Sequence, residues 1–268
     1  MRGFCSIMGT GFETLFPHRT GRSQRMKQHL FFDLDDTLVH CNKYFQAVLD
    51  EFAERILSRF PCLALTRKAV LEKQAEIDIA GIQVLGFKPD HFPQSLVDTY
   101  RHFCAVAGEK PSPEEEREIR RLGMSVFERE IEPYPHVEET LETLSSQGHV
   151  LHLYTGGDAR FQRQKVRKLN LGRHFGNRVY VRRHKSESDL RKILKAVSCD
   201  PARTWMIGNS VRTDVLPALA CGLHVLYMKH EGEWSYNVVP INIKPRGVFE
   251  TVRSLKEIPP IIRRYAES

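Results

Sequence analysis

The sequence predicts an α/β fold: a parallel sheet with helices on both faces, carrying an all-helical block inserted near its start. Three observations predict it. FFDLDDTLVH, Phe31 to His40, is an apolar segment that ends in carboxylates and reads as a buried strand. Residues 41–131 then show helical periodicity only. From 132 to 268, strand and helix patterns alternate, which implies right-handed crossovers and a parallel sheet covered on both sides.

Taken in order, Leu30 to Leu34 is the first strand. NKYFQAVLDEFAERILSRF sets Phe45, Val48, Leu49, Phe52, Ile56 and Phe60 at steps of mostly three and four, an amphipathic helix. TRKAVLEKQAEIDIAGI and PQSLVDTYRHFCAVAG are two more helices, and SPEEEREIRRL starts another, with Ser112 as cap and an acidic first turn. The block therefore holds roughly four or five helices. Pro133 and Pro135 in EPYPHVEE break the helical run and mark the crossing back. Helices are then predicted over 137–147, 160–169, 188–197 and 215–220, and strands over 150–154, 178–181, 204–207 and 223–227. The tail RGVFETVRSLKEIPPIIRRY adds one last helix, stopped near Pro259. The expected organisation is an N-terminal extension over 1–27, a core made of 28–40 and 132–268, and a helical insertion over 41–131.

A 41% hydrophobic and 27% charged composition is that of a globular protein. No stretch approaches the 18 or so uninterrupted apolar residues of a membrane span, so no membrane partner is expected. Six scattered cysteines without metal-ligand spacing read as reduced thiols, which predicts a cytoplasmic protein. Residues 1–25 lack the apolar core of a secretory signal. They read as a disordered tail, as sequence upstream of a working start at Met26, or as a basic transit segment.

The net charge of +7 is uneven: Arg160 to Lys195 holds about 13 basic and two acidic residues. The run reads either as a solvated helix face or as an attractor of an anionic substrate. No aromatic-basic interleaving accompanies it, and no nucleic acid partner is expected. A monomer or homodimer acting on a small molecule is the expectation.

Four clusters fall at strand ends, where an open parallel sheet binds its ligands. The first is Asp33, Asp35 and Asp36. Side chains at i and i+2 of a strand share a face, so Asp33 and Asp35 can flank one group, and mutual repulsion raises one pKa. The second is Thr155-Gly156-Gly157, a hydroxyl with unhindered amides suited to phosphate oxygens. Lys185, between a strand and a helix, is the third. Asn209 and Asp214 in GNSVRTD are the fourth. Singly, these read as a turn, a surface lysine and a helix cap.

D-x-D-x-T at Asp33, Asp35 and Thr37, followed by Thr155, Lys185 and Gly208 to Asp214, resembles the haloacid dehalogenase-like superfamily. The resemblance runs from residue 28 onward. It implies a Rossmann-like core with the helical block as an inserted cap, and an Mg²⁺-dependent phosphatase acting on a small phosphorylated metabolite. Asp33 would be the nucleophile that becomes phosphorylated, and Asp35 the acid and base. Thr155, Gly156 and Lys185 would hold the phosphate, helped by amides near Asp36. Asp33, the Asp35 carbonyl, Asp214 and Asn209 would hold the metal. The family's fourth motif usually begins Gly-Asp, whereas here Asn209 follows Gly208, and one negative charge is missing. Asp35 in place of the tyrosine or alanine of dehalogenases and phosphonate hydrolases favours phosphate esters. A phosphomutase using the same aspartates and a non-catalytic binding protein of this fold are the alternatives. The cap is expected to close over the sheet mouth and set specificity, with Trp234 and Tyr236 either bordering the cleft or anchoring a loop. Phe45, Phe52, Phe60 and Leu71 are expected to pack the cap helices.

Overall fold

The structure, a computed structural model, describes residues 26–266. The predicted disorder of the N-terminal extension falls on residues outside that range, apart from Met26 and Lys27.

Strand β1, His29–Phe32, occupies the middle of a six-stranded parallel sheet. Its neighbours are β2, Val150–Gly156, and β4, Thr204–Gly208. Beyond β2 lies β3, Val179–Arg182; beyond β4 lie β5, His224–Met228, and β6, Phe249–Val252. The order β3-β2-β1-β4-β5-β6 reverses direction at β1. A reversal of this kind opens a crevice beyond the carboxyl ends of the central strands, and Asp33 is the first residue past the end of β1.

Alternation along each strand divides the core. Leu30 and Phe32, with Leu151, Leu153 and Ile207, face one side. There they pack on α5, Val137–Ser146, on the short α7, Gly172–Phe175, and on α10, Ile258–Ala266. Phe31, Tyr154, Met206 and Val225 face the other side, against α8, Glu187–Ala196, and α9, Leu216–Ala220. Helix α6, Ala159–Lys168, follows β2 and begins on the Asp158 cap, whose carboxylate accepts from the Arg160 amide at 2.9 Å.

The inserted block comprises α1, Asn42–Arg59; α2, Arg67–Leu85; α3, His91–Ala107; and α4, Pro113–Met124. It has its own core, in which Phe52, Ile56 and Phe60 meet Leu96, Tyr100 and Ile119. Ser112 caps α4 as expected, accepting from the Glu115 amide. The chain enters and leaves the block along paired linkers: His40 N–H donates to the Glu132 carbonyl and Tyr134 N–H to the Leu38 carbonyl, both at 2.9 Å. Pro133 bridges Val39 in that pairing.

One helix contact gives a direct stability prediction. Gly123 of α4 lies against α3 so closely that a Cβ there would stand 2.7 Å from Pro93 Cα. Gly→Ala in an exposed helix interior gains about 1 kcal/mol. Here the sign reverses: Gly123→Ala is expected to cost about 1–3 kcal/mol through overpacking, read as a lower midpoint in urea unfolding. A raised midpoint would contradict the close approach.

Two expectations need correction. The first strand stops at Phe32 rather than Leu34, although the Asp33 amide still donates to the Ile207 carbonyl at 2.9 Å. The chain turns at Asp36, which takes the left-handed conformation (φ 56°) that short polar side chains tolerate. The tail is the second. Phe249–Val252 is a strand, and Pro259 lies in the first turn of α10 instead of ending a helix. Proline suits a first turn, where its missing N–H has no partner to lose.

Candidate active site

Three aspartates in four residues cannot share one environment, and each has its own compensation. Asp33 is buried and accepts from Lys185 Nζ at 2.6 Å and from Thr37 Oγ1 at 3.2 Å. Asp35 is partly exposed and accepts from Lys165 Nζ at 2.5 Å and Gln162 Nε2 at 2.7 Å. Asp36 turns away to accept from the backbone amides of Cys41 (2.9 Å) and Asn42 (3.0 Å), fixing the entry into α1. Its own amide donates to the Val39 carbonyl at 2.7 Å and so is not free for a phosphate. Its carbonyl accepts from His230 Nε2, also at 2.7 Å.

Lys185, between β3 and α8, reaches two buried carboxylates, since it also pairs with Asp214. Asp214 is not a helix cap. Ser210 fills that role by accepting from the Thr213 amide, while Asp214 accepts from the Ser210 amide at 3.0 Å. A Cβ at position 208 would lie 2.4 Å from Asp214 Oδ2, so only glycine leaves that carboxylate its place at the end of β4. Asn209, also buried, follows directly.

Thr155 is fully buried at the end of β2. Its hydroxyl accepts from Gln162 Nε2 at 2.9 Å, and the same amide group lies 2.6 Å from the Gly156 carbonyl. Gln162 thereby ties the Thr155 turn to Asp35. Gln162 and Lys165 were not anticipated individually; their signal was i, i+3 spacing on the helix that follows the Thr155 turn. The basic run hid Lys165, which is turned inward to Asp35 rather than solvated.

Burial is the largest influence on Asp33 and, with Asp214 and Asp35 adding repulsion and Lys185 opposing, pushes its pKa up to about 7. Burial likewise raises Asp36, to about 6, against the amides that stabilise its anion. For Lys185 burial acts downward, but Asp214 and Asp33 more than offset it and hold the ammonium above its usual value.

All seven sequence-predicted residues (Asp33, Asp35, Thr155, Gly156, Lys185, Asn209 and Asp214) line one cavity of about 1080 Å³ between sheet and cap. Its roof is aromatic. Phe87, in the loop between α2 and α3, approaches within 3.5 Å of where a Gly156 Cβ would stand, and packs on Trp234 and Tyr236 at ring distances of 6.2 and 5.7 Å. Trp234 thus borders the cleft, whereas Tyr236 is buried outside its lining and anchors the loop, stacked on Trp234 and covered by Arg212. Phe52 and Phe60 pack the cap interior as expected, whereas Phe45 and Leu71 also line the cavity.

The donor chemistry fits a hard cation. Asp33, Asp214 and Asn209 present oxygen atoms, and two buried carboxylates share a single ammonium, leaving one negative charge uncompensated when both are ionised. Asp214 Oδ1 is buried against the Lys185 ammonium while Oδ2 accepts from the Ser210 amide, so each oxygen keeps a lone pair that a cation could use.

Comparison with known proteins identifies the family and the fold. A family model described as haloacid dehalogenase-like hydrolase matches residues 27–222. Among curated proteins, glyceraldehyde 3-phosphate phosphatase from Methanothermobacter thermautotrophicus is 25% identical over 244 residues, covering 87% of this chain and 100% of the relative. Among solved structures, a haloacid dehalogenase-like family hydrolase from Xanthomonas campestris shares the fold with a TM-score of 0.73 at 23% identity, covering 90% of this chain and 92% of that one. A HAD phosphatase from Thermococcus onnurineus has a TM-score of 0.50 at 20% identity, covering 88% and 98%.

Proposed function

The chain belongs to the haloacid dehalogenase-like hydrolases, and from that premise we propose that it is an Mg²⁺-dependent phosphatase of a small phosphorylated metabolite, working through a phosphorylated Asp33. One observation carries the reading. Residues distant in sequence converge so that a single ammonium, Lys185, bridges Asp33 and Asp214 inside a cavity that also holds Asp35 and Thr155.

Each residue follows from its surroundings. Asp33, oriented by Thr37 Oγ1 and Lys185, attacks phosphorus through a carboxylate oxygen while the ester oxygen leaves on the opposite side. Asp35 gives the leaving oxygen its proton and then takes one from the water that hydrolyses the acyl phosphate. Gln162 and Lys165 hold Asp35 in place for both steps. Thr155, the Gly156 turn and Lys185 receive the phosphoryl oxygens. Asp33, the Asp35 carbonyl, Asp214 and Asn209 would hold Mg²⁺, which when bound supplies positive charge to the phosphoryl oxygens. The cap roof around Phe87 excludes water while Asp33 is esterified.

Magnitudes require the whole set. Enzymes accelerate phosphate monoester hydrolysis by up to ~10²¹, whereas a positioned general acid contributes about 10²–10⁴. Covalent attack, in-line positioning and charge neutralisation must supply the remainder.

The test is a screen of phosphorylated metabolites with Mg²⁺, beginning with triose phosphates because of the curated relative's activity. Release of inorganic phosphate is expected. Conversion of a sugar phosphate to an isomer without net phosphate release would instead identify a phosphomutase, and no turnover of any ester would overturn the enzymatic reading.

A further inference from the structure

At the amino ends of the same strands, on the face covered by α8, three potential metal ligands lie together outside the catalytic cavity. His29 opens β1, His152 is on β2, and Cys199 follows α8. One ligand atom from each lies within 4.8 Å of the other two. We propose that His29, His152 and Cys199 form a binding site for one borderline transition-metal cation, Zn²⁺ foremost.

The topology brings them together without accident of surface drift. His29 and Phe31 share a face of β1 by the two-residue period, as do His152 and Tyr154 on β2. Phe31, Tyr154 and the half-buried Cys199 belong to one apolar cluster. His152 is 1% exposed and lies flat on Phe31, ring centroids 4.2 Å apart.

His29 Nδ1 and His152 Nε2 are 3.0 Å apart. Two imidazole nitrogens bound at about 2.0–2.1 Å to one tetrahedral ion stand about 3.3–3.4 Å apart, so small ring movements convert the pair into two ligands. Coordination through His29 Nδ1 and His152 Nε2 would replace the hydrogen bond between the two rings and fix the tautomer of each.

The donor set selects the ion. Two imidazoles and a thiolate suit Zn²⁺ and its neighbours in the transition series, while the hard Mg²⁺ prefers oxygen. Burial raises the Cys199 thiol pKa, so coordination must displace the Sγ proton to solvent, and affinity should rise with pH. Lys27 and Arg178 act on the histidines as cations, and the thiolate offsets their repulsion of the ion. Three ligands leave a fourth position for water.

His29 and Asp33 are four residues apart on an extended chain, about 13 Å at ~3.3 Å per residue. The site is therefore separate from the phosphate cavity, and the bound ion joins β1, β2 and the segment leading into β4.

The full chain, reduced and saturated with Mg²⁺ to fill the catalytic oxygens, is titrated with Co²⁺ and separately with Zn²⁺. One equivalent of Co²⁺ should produce the near-ultraviolet thiolate-to-cobalt absorption, and Zn²⁺ should displace it and raise the thermal unfolding temperature. The band should vanish in Cys199→Ser. In His29→Gln, at a half-exposed position, affinity should fall about tenfold or more. Asp33→Asn should keep the band. No thiolate band in the parent chain, or a band that survives Cys199→Ser, overturns the site.

Discussion

Replacing Asp33 with asparagine is expected to abolish turnover while leaving the fold in place. The side chain keeps its shape but loses its nucleophilic oxygen, and loss of a covalent nucleophile typically lowers kcat by about 10⁴–10⁶. Stability should not fall with it. Lys185 retains Asp214 as partner, and the buried Asp33 carboxyl, pushed up to about 7, already disfavours its own ionised form. The sign follows from linkage. A carboxyl whose folded pKa lies above the usual 3.8 binds its proton more tightly when folded. It therefore detracts from stability increasingly as pH rises from about 4 to 7. Asp33→Asn removes that burden, so the metal-free variant should unfold at an equal or higher temperature than the parent at pH 7. A variant that loses activity only by unfolding would assign Asp33 a structural role instead.

Lys185→Met should do the opposite, costing both activity and stability. The ammonium is the charge shared by Asp33 and Asp214, and its side chain is 3% exposed. Breaking a buried ion pair by removing one partner costs about 3–5 kcal/mol. Two carboxylates would remain in a dry site with no protein cation between them. Protonation relieves that repulsion, so the deficit in thermal stability should be largest near neutral pH and shrink in mild acid. Mg²⁺ should restore part of the stability and little of the turnover, because the phosphoryl oxygens also lose Lys185. Wild-type stability in the variant at pH 7 without metal would show that Lys185 does not bridge the two carboxylates.

These opposite outcomes express how the site is built. A run of aspartates at the end of a buried strand is tolerable because each carboxylate is met by something different: Lys185, Lys165 with Gln162, and the amides at the start of α1. Two of those cations come from the basic run between residues 160 and 195, whose average charge suggested only a solvated face or a general attraction for anions. Direction, rather than composition, decides their role.

What could be read from the chain follows the same division. Local periodicity identified α1 to α4 because Val48, Phe52 and Ile56 recur on one face, and Ser112 announced its helix by capping chemistry. The strands beside β1 were visible as short apolar runs ending in Thr155 and Gly208. Strand β6 was not: Phe-Glu-Thr-Val is four residues long, mostly half-exposed at the sheet edge, and held by pairing with β5 rather than by its own pattern. Pro259 was misread as a stop because a proline looks alike in sequence whether it begins or ends a helix. Gln162 and Lys165 were invisible as individuals, since nothing local tells a helix face that points inward at Asp35 from one that points into water.

The most direct test is to quench turnover in acid within the first catalytic cycles of a substrate carrying a labelled phosphoryl group, then digest the protein and map the label. About one label per active site at most is expected, on the peptide that contains Asp33 and absent in Asp33→Asn. Phosphate release at full rate with no label on that peptide would contradict covalent attack by Asp33.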